Sequence, residues 1–189
     1  MEPGPFARQI AEQWEKDARV VEVVLRESAR IVRMDHGVLI CETKHGLICA
    51  NAGVDASNVP AGVLSLLPED PDASAALLRS ALSDGLGVDL AVVITDTFGR
   101  PWREGLVEVA LGCAGMDPLL DLRGRADLSG RELHHTVVAL ADEVAAAAGL
   151  VMEKDSAVAA AIVRGVRYTP GPGGAVSRLV RRPEFDLFC

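Results

Sequence analysis

Residues 90–95, LAVVIT, form an apolar run rich in β-branched side chains and closed by a threonine. An unbroken run of this kind is the pattern of a strand buried on both faces of a sheet, since a strand with one wet face alternates instead. Asp96 is therefore expected at a strand end, inside the acidic turn VITDTFGRPWREG of residues 93–105. A second acidic turn lies in ANAGVDASNV, residues 50–59, where Asp55 stands between Gly53 and Pro60 with Ser57 and Asn58 close behind. Each turn sets a carboxylate and a neutral oxygen donor beyond an apolar run, and oxygen ligands suit magnesium or manganese. The plainer reading of Asp55, Ser57 and Asn58 is a turn whose side chains satisfy their own backbone. Arg100 and Arg103 follow Asp96 and Thr97 at once, and planar guanidinium groups match phosphate or carboxylate oxygens in a fork geometry. Metal ligands beside arginines suggest phosphate chemistry.

Ahead of these turns, the spacing of Phe6, Ile10, Trp14, Val21, Val24, Leu25, Ile31 and Val32 follows a helical period. It predicts one long helix, or two short ones broken near Asp17. VLICET and LICANAGV then read as a hairpin turning at Lys44, His45 and Gly46, because Gly46 can take the positive φ that a tight turn needs. That register sets Cys41 opposite Cys49, and a reducing cytosol keeps such a pair as free thiols. Cys113 and Cys189 complete the cysteines, and no CxxC pair occurs among the four, so neither a zinc ribbon nor a thioredoxin-type site is indicated.

LLPEDPDAS leads into a predicted helix for which Asp70 or Asp72 is the expected cap. GLVEVALGCAG is ambiguous between strand and helix, and its β-branched residues and closely spaced glycines favour a strand passing close to another backbone. DLRGRADLSGRE reads either as a solvated loop with paired charges or as a binding loop in which Arg123, Arg125 or Arg131 meets an anion. Residues 131–151 predict a helix ending near Gly149, with His134 and His135 on its surface, and AAAIVRGV predicts a last strand. The Pro/Gly cluster of residues 170–174 marks a turn or loop.

A chain of 189 residues with 49% hydrophobic content can bury a full core as one domain, residues 1–189. Its net charge of -8 opposes nucleic-acid binding, which relies on lysine and arginine. No stretch has the pattern of a secretory signal or a bilayer span, and the expected location is cytoplasmic.

Five motifs in order, KHGLICANAGVDASNV, LLPEDPDASA, VVITDTFGRPWREG, LLDLRGRADLSGREL and ADEVAAAAGLVM, resemble the coenzyme F420:L-glutamate ligase family, the γ-glutamyl ligases. AEQWEKDARVVEVVLRESARIVR is similar to the helical segment ahead of the hairpin in bacterial members. The resemblance implies an α/β fold of mixed α+β kind, an intertwined homodimer with sites near the subunit interface. It implies a GTP-dependent enzyme that adds L-glutamate in γ-linkage to coenzyme F420-0 through an acyl phosphate, with manganese or magnesium and a further monovalent cation, potassium. By the family pattern the metal ligands are Asp55, Asp96 and Thr97, and Asn58 contacts the guanine nucleotide. Arg100 and Arg103 are the catalytic candidates, and Lys154 is placed to reach a phosphate. The family domain is expected to begin with a β-rich segment upstream of this chain's first helix, so a complementing N-terminal chain is an expected partner. Two other readings stand beside the ligase: a binding subunit for nucleotide or coenzyme F420 that transfers no phosphate, and a two-metal phosphohydrolase.

Overall fold

The N-terminal residues wind into two helices rather than one because the sequence supplies both a stop and a start. In the computed structural model, which describes residues 1–186, α1 (Pro5–Trp14) opens on a proline and ends at Glu15, whose φ of 51° is left-handed. Asp17 then caps α2 (Ala18–Glu27), its side chain accepting from the Arg19 amide at 2.8 Å. The Arg19 side chain holds the same carboxyl down at about 2, as expected for a carboxylate that accepts from both backbone and guanidinium. The break near Asp17 is where the sequence placed it.

The helical reading runs too far, however. Ile31 and Val32 belong to a strand, β1 (Ser28–Asp35), which pairs antiparallel with β2 (Val38–Thr43). Their β-branched side chains suit a pleat as well as a helix, and the turn decides between the two. Between Asp35 and Val38 stand only His36 and Gly37, at φ of 47° and 74°. Two consecutive left-handed residues make the primed turn whose twist matches the flanking strands. The predicted second hairpin is present: β2 pairs with β3 (Ile48–Ala50), Gly46 takes φ 85°, and Cys41 faces Cys49. Both are buried free thiols. Cys189 lies outside the described residues.

The chain divides into two compact units, Met1–Pro68 with Pro101–Glu104, and Glu69–Arg100 with the residues from Gly105 onward. The first unit holds α1, α2 and the β1-β2-β3 sheet around Ile10, Val21, Val24, Leu39 and Cys41. The sheet's buried face is the period-2 set Leu39, Cys41 and Thr43.

In the second unit, α3 (Pro71–Leu86) is capped by Asp70, which accepts from the Ala73 amide at 2.9 Å. Asp72 does not cap; it reaches out of the helix, as described below. β4 (Val92–Arg100) and β5 (Arg103–Ala114) form a two-stranded ribbon turning at Pro101 and Trp102. The run 90–95 was expected to be buried on both faces, but the side chains of β4 are half-buried, because a two-stranded ribbon has no further strand to bring cover with it. The glycine argument for β5 holds: a Cβ at Gly112 would stand 2.2 Å from the Pro71 carbonyl oxygen.

Short strands β6 (Leu120–Asp121) and β7 (Val137–Val138) pair antiparallel and precede α4 (Leu140–Gly149). The long helix predicted over residues 131–151 is therefore confined to its alanine-rich half, and His134 and His135 lie in a bend. The upstream half carries Thr136, Val137 and Val138, which pair more readily than they coil. AAAIVRGV forms no strand, and Ile162 and Arg164 are exposed. In the loop after β6, Asp121 pairs with Arg123 at 2.6 Å, and Asp127 accepts from the Ser129 and Arg131 amides at 2.7 and 2.9 Å. Arg123 thus follows the paired-charge reading, and the Asp127 bonds are those of a self-satisfied turn. The last elements are α5 (Ala175–Leu179) and a 3-10 turn at Pro183–Phe185. The architecture is mixed α+β with small antiparallel sheets.

Candidate functional site

In the first unit the backbone ahead of Asp55 is bent to an unusual degree. Asn51, Ala52 and Gly53 have φ of 51°, 52° and 73° in succession. Only the third is a glycine, and a non-glycine residue held left-handed costs about 1–3 kcal/mol, so the surrounding structure must enforce it. Here it does so by burial: Ala52 is 2% exposed and Val54 8%, both inside the core. The turn thus delivers Asp55 to the surface, its backbone paired to Ser65 through bonds of 3.2 and 2.8 Å.

The Asp55 carboxylate accepts from the Ser57 amide at 2.9 Å and, through its other oxygen, from the Ser57 hydroxyl. The self-satisfied turn foreseen for this segment is present, and it also fixes the carboxylate. Asn58 follows at a left-handed φ of 55° and is exposed. The strained pair Asn51 and Ala52 carried no glycine to signal it.

In the second unit Asp96 and Thr97 lie in the middle of β4, not at its end. The expected strand-end turn is corrected by the register of the ribbon, which carries the strand on through Arg100 before the chain reverses. The consequence is geometric: neighbouring residues of a strand point to opposite faces, so the Asp96 and Thr97 side chains diverge. The Thr97 hydroxyl donates to Glu108 Oε1 at 2.6 Å, across the ribbon. Sequence reasoning passed over Glu108; its one signal was a lone acid inside the apolar run LVEVALG.

Arg100 ends β4 and is half-buried, while Arg103 begins β5 and is exposed. The turn between them includes Trp102, 77% exposed at a left-handed φ of 57°. Lys154 is exposed on a turn closed over the Glu153 carbonyl, which accepts from the Ser156 amide at 3.1 Å and from its hydroxyl at 2.8 Å.

Behind this ribbon, aspartates occupy amides of β5. Asp142 of α4 accepts from Ala110 at 2.9 Å, and Asp72 Oδ1 accepts from Cys113 at 2.9 Å and from Ala175 at 2.8 Å. Burial, and secondarily the Asp72 charge, pushes the Cys113 thiol up to about 11, so it is a neutral core group at physiological pH.

Among the described residues no cluster of three or more His, Cys, Asp or Glu is assembled to hold a metal. The predicted ligands Asp55, Asp96 and Thr97 all offer oxygen, two as carboxylates and one as a hydroxyl, and oxygen donors suit hard divalent cations such as magnesium and manganese. No helix among them is long and apolar enough to cross a membrane.

The model of the F420-0:Gamma-glutamyl ligase family matches residues 1–165. The coenzyme F420:L-glutamate ligase of Methanopyrus kandleri is 50% identical over 193 residues, an alignment spanning 100% of this chain and 76% of that protein. The ligase of the same name from Methanothermobacter thermautotrophicus is 48% identical over 192 residues, spanning 100% and 75%. That of Methanocaldococcus jannaschii is 42% identical over 187 residues, spanning 98% and 74%. A family match over most of the length, together with half-identity to a relative along the whole chain, places this protein in the F420-0:gamma-glutamyl ligase family of amide-forming enzymes.

Proposed function

We propose that the chain joins L-glutamate in γ-linkage to coenzyme F420-0 with GTP as the phosphoryl donor. The likeness to named coenzyme F420:L-glutamate ligases supports the reaction class. The observation that carries the phosphate chemistry is the β4–β5 ribbon, where two oxygen donors, Asp96 and Thr97, lie within four residues of Arg100.

In this reading the terminal carboxylate of the acceptor takes the γ-phosphoryl group of GTP, giving an acyl phosphate and GDP. The glutamate amine then attacks the acyl carbon, the amide bond forms, and inorganic phosphate leaves as the amine gives up a proton. Arg100 and Arg103 neutralise and orient phosphate or carboxylate oxygens, for which a planar fork is suited. Asn58 contacts the guanine and Lys154 a phosphate. Asp55, Asp96 and Thr97 would hold manganese or magnesium, alongside a potassium ion, and such cations offset charge on the triphosphate and the transferring group. The divergence of Asp96 and Thr97 across the strand favours two cation positions over one.

Incubation with GTP, Mn2+, coenzyme F420-0 and L-glutamate should yield a product heavier by one glutamyl unit in mass spectrometry, and Asp96→Ala should abolish it. Phosphate release that ignores glutamate would identify a phosphohydrolase instead, and metal-dependent GTP binding without turnover a binding subunit.

The working form in this reading is a cytoplasmic homodimer. Its support is α3, where Leu78, Leu82 and Leu86 follow one another at helical spacing, 50%, 43% and 64% exposed. Light scattering should give twice the chain mass for the wild type and a monomer for Leu78→Glu combined with Leu82→Glu; a monomeric wild type would refute the dimer.

A further inference from the structure

We propose that Glu108 is the positioning residue of Thr97, accepting the hydroxyl proton so that the threonine oxygen presents its lone pairs to a divalent cation. The proposal rests on the reading of Thr97 as a cation ligand and adds to it a residue on the neighbouring strand.

A hydroxyl has one proton and two lone pairs. When a cation takes a lone pair, the proton needs an acceptor elsewhere, and an acceptor that is already charged and in place removes the cost of finding one. Glu108 Oε1 lies 2.6 Å from Thr97 Oγ1, within the short range of charge-assisted O–H···O bonds. Threonine is stiff about χ1, so a fixed hydroxyl fixes the rotamer. An outer carboxylate also raises the basicity of the ligand it binds.

The surroundings hold the glutamate as firmly as it holds the threonine. Both side chains are half-buried, which limits screening by water. The stem of Glu108 lies against the last residue of α4, where a Cβ at Gly149 would stand 2.7 Å from Glu108 Cγ and 3.4 Å from its Cβ. A glycine at that position is what lets the helix end pass over the glutamate. The β5 amide two residues on, that of Ala110, is served by Asp142 and not by Glu108.

The test is Mn2+ affinity, read from the electron paramagnetic resonance signal of free Mn2+ with no substrate present. Glu108→Ala should weaken binding about 10–100-fold, the range for loss of an outer partner of a metal ligand. Thr97→Val should weaken it comparably, and the double variant should lose no more than the larger single loss, because one chain of contacts is cut in each case. Glu108→Asp should recover part of the loss, which a merely structural glutamate would not show. If Glu108→Ala does not fold, the isosteric Glu108→Gln serves, with a loss of about tenfold expected. Wild-type affinity in a folded Glu108 variant, or losses that add in the double variant, would overturn the positioning role alone. A wild type that binds no Mn2+ would overturn the cation reading of Thr97 and this inference with it.

Discussion

Asp72→Ala is expected to lower stability by about 3 kcal/mol or more, reading each hydrogen bond to a charged group as about 1.5–3 kcal/mol. One carboxylate oxygen, Oδ1, accepts from both the Cys113 and Ala175 amides, at 2.9 and 2.8 Å. The donors belong to residues 1% and 0% exposed, so neither amide can turn to water when the acceptor is removed. The bonds join the start of α3 to the end of β5 and the start of α5, segments 41 and 103 residues away in sequence. Calorimetry should therefore show a melting temperature lower by roughly 10 °C or more.

Asp72→Asn is the informative control. Its amide oxygen can occupy the Oδ1 position and keep both bonds, so it should fall well short of the alanine loss. The Cys113 thiol provides a second readout, because the Asp72 charge contributes, after burial, to holding it at about 11. A thiol raised above its unfolded value of 9.0 favours the fold below that pH, and the contribution is lost as pH rises through about 11. In Asp72→Asn the thiol should titrate lower. An alanine variant that melts with the wild type would refute the role given to Asp72.

Gly173→Ala is expected to cost about 3 kcal/mol or more, combining strain at a left-handed residue with overpacking. Gly173 has φ 97°, and a Cβ there would stand 1.9 Å from the Cys113 carbonyl oxygen and 2.9 Å from Ala114 Cα. Both obstacles are backbone of the buried end of β5, which cannot rotate aside as a side chain can. Gly130→Ala separates the two terms: it has φ 79° but nothing within 4 Å of the added Cβ, so it should cost only about 1–2 kcal/mol. Chemical denaturation of the two variants measures the difference. Equal losses would show that the close approach to Cys113 contributes nothing.

Asp17, Gly46 and Gly112 show what was legible along the chain. The break at Asp17 and the turn at Gly46 act on adjoining segments, and Gly112, whose close approach is to Pro71 far back in the chain, was flagged by its residue type alone. Ile31, Val32 and residues 131–139 misled because their β-branched and apolar pattern suits either period; the His36–Gly37 turn chose the strand for the first, and pairing with Leu120 and Asp121 set Val137 and Val138 in a strand in the second. Asp96 misled differently: the polar residue closing an apolar run looks like an end, yet β5 supplies pairing that carries β4 on to Arg100.

By itself the sequence determined the family and the order of its motifs, since these are properties of side chains and their spacing. The tertiary structure alone decided that Asp96 and Thr97 diverge, that Glu108 meets Thr97, and that Asp72 ties α3 to β5 and α5. Such facts depend on strand register and long-range hydrogen bonds. No local propensity encodes them, because the energy that fixes a register is shared among residues that only the fold brings together.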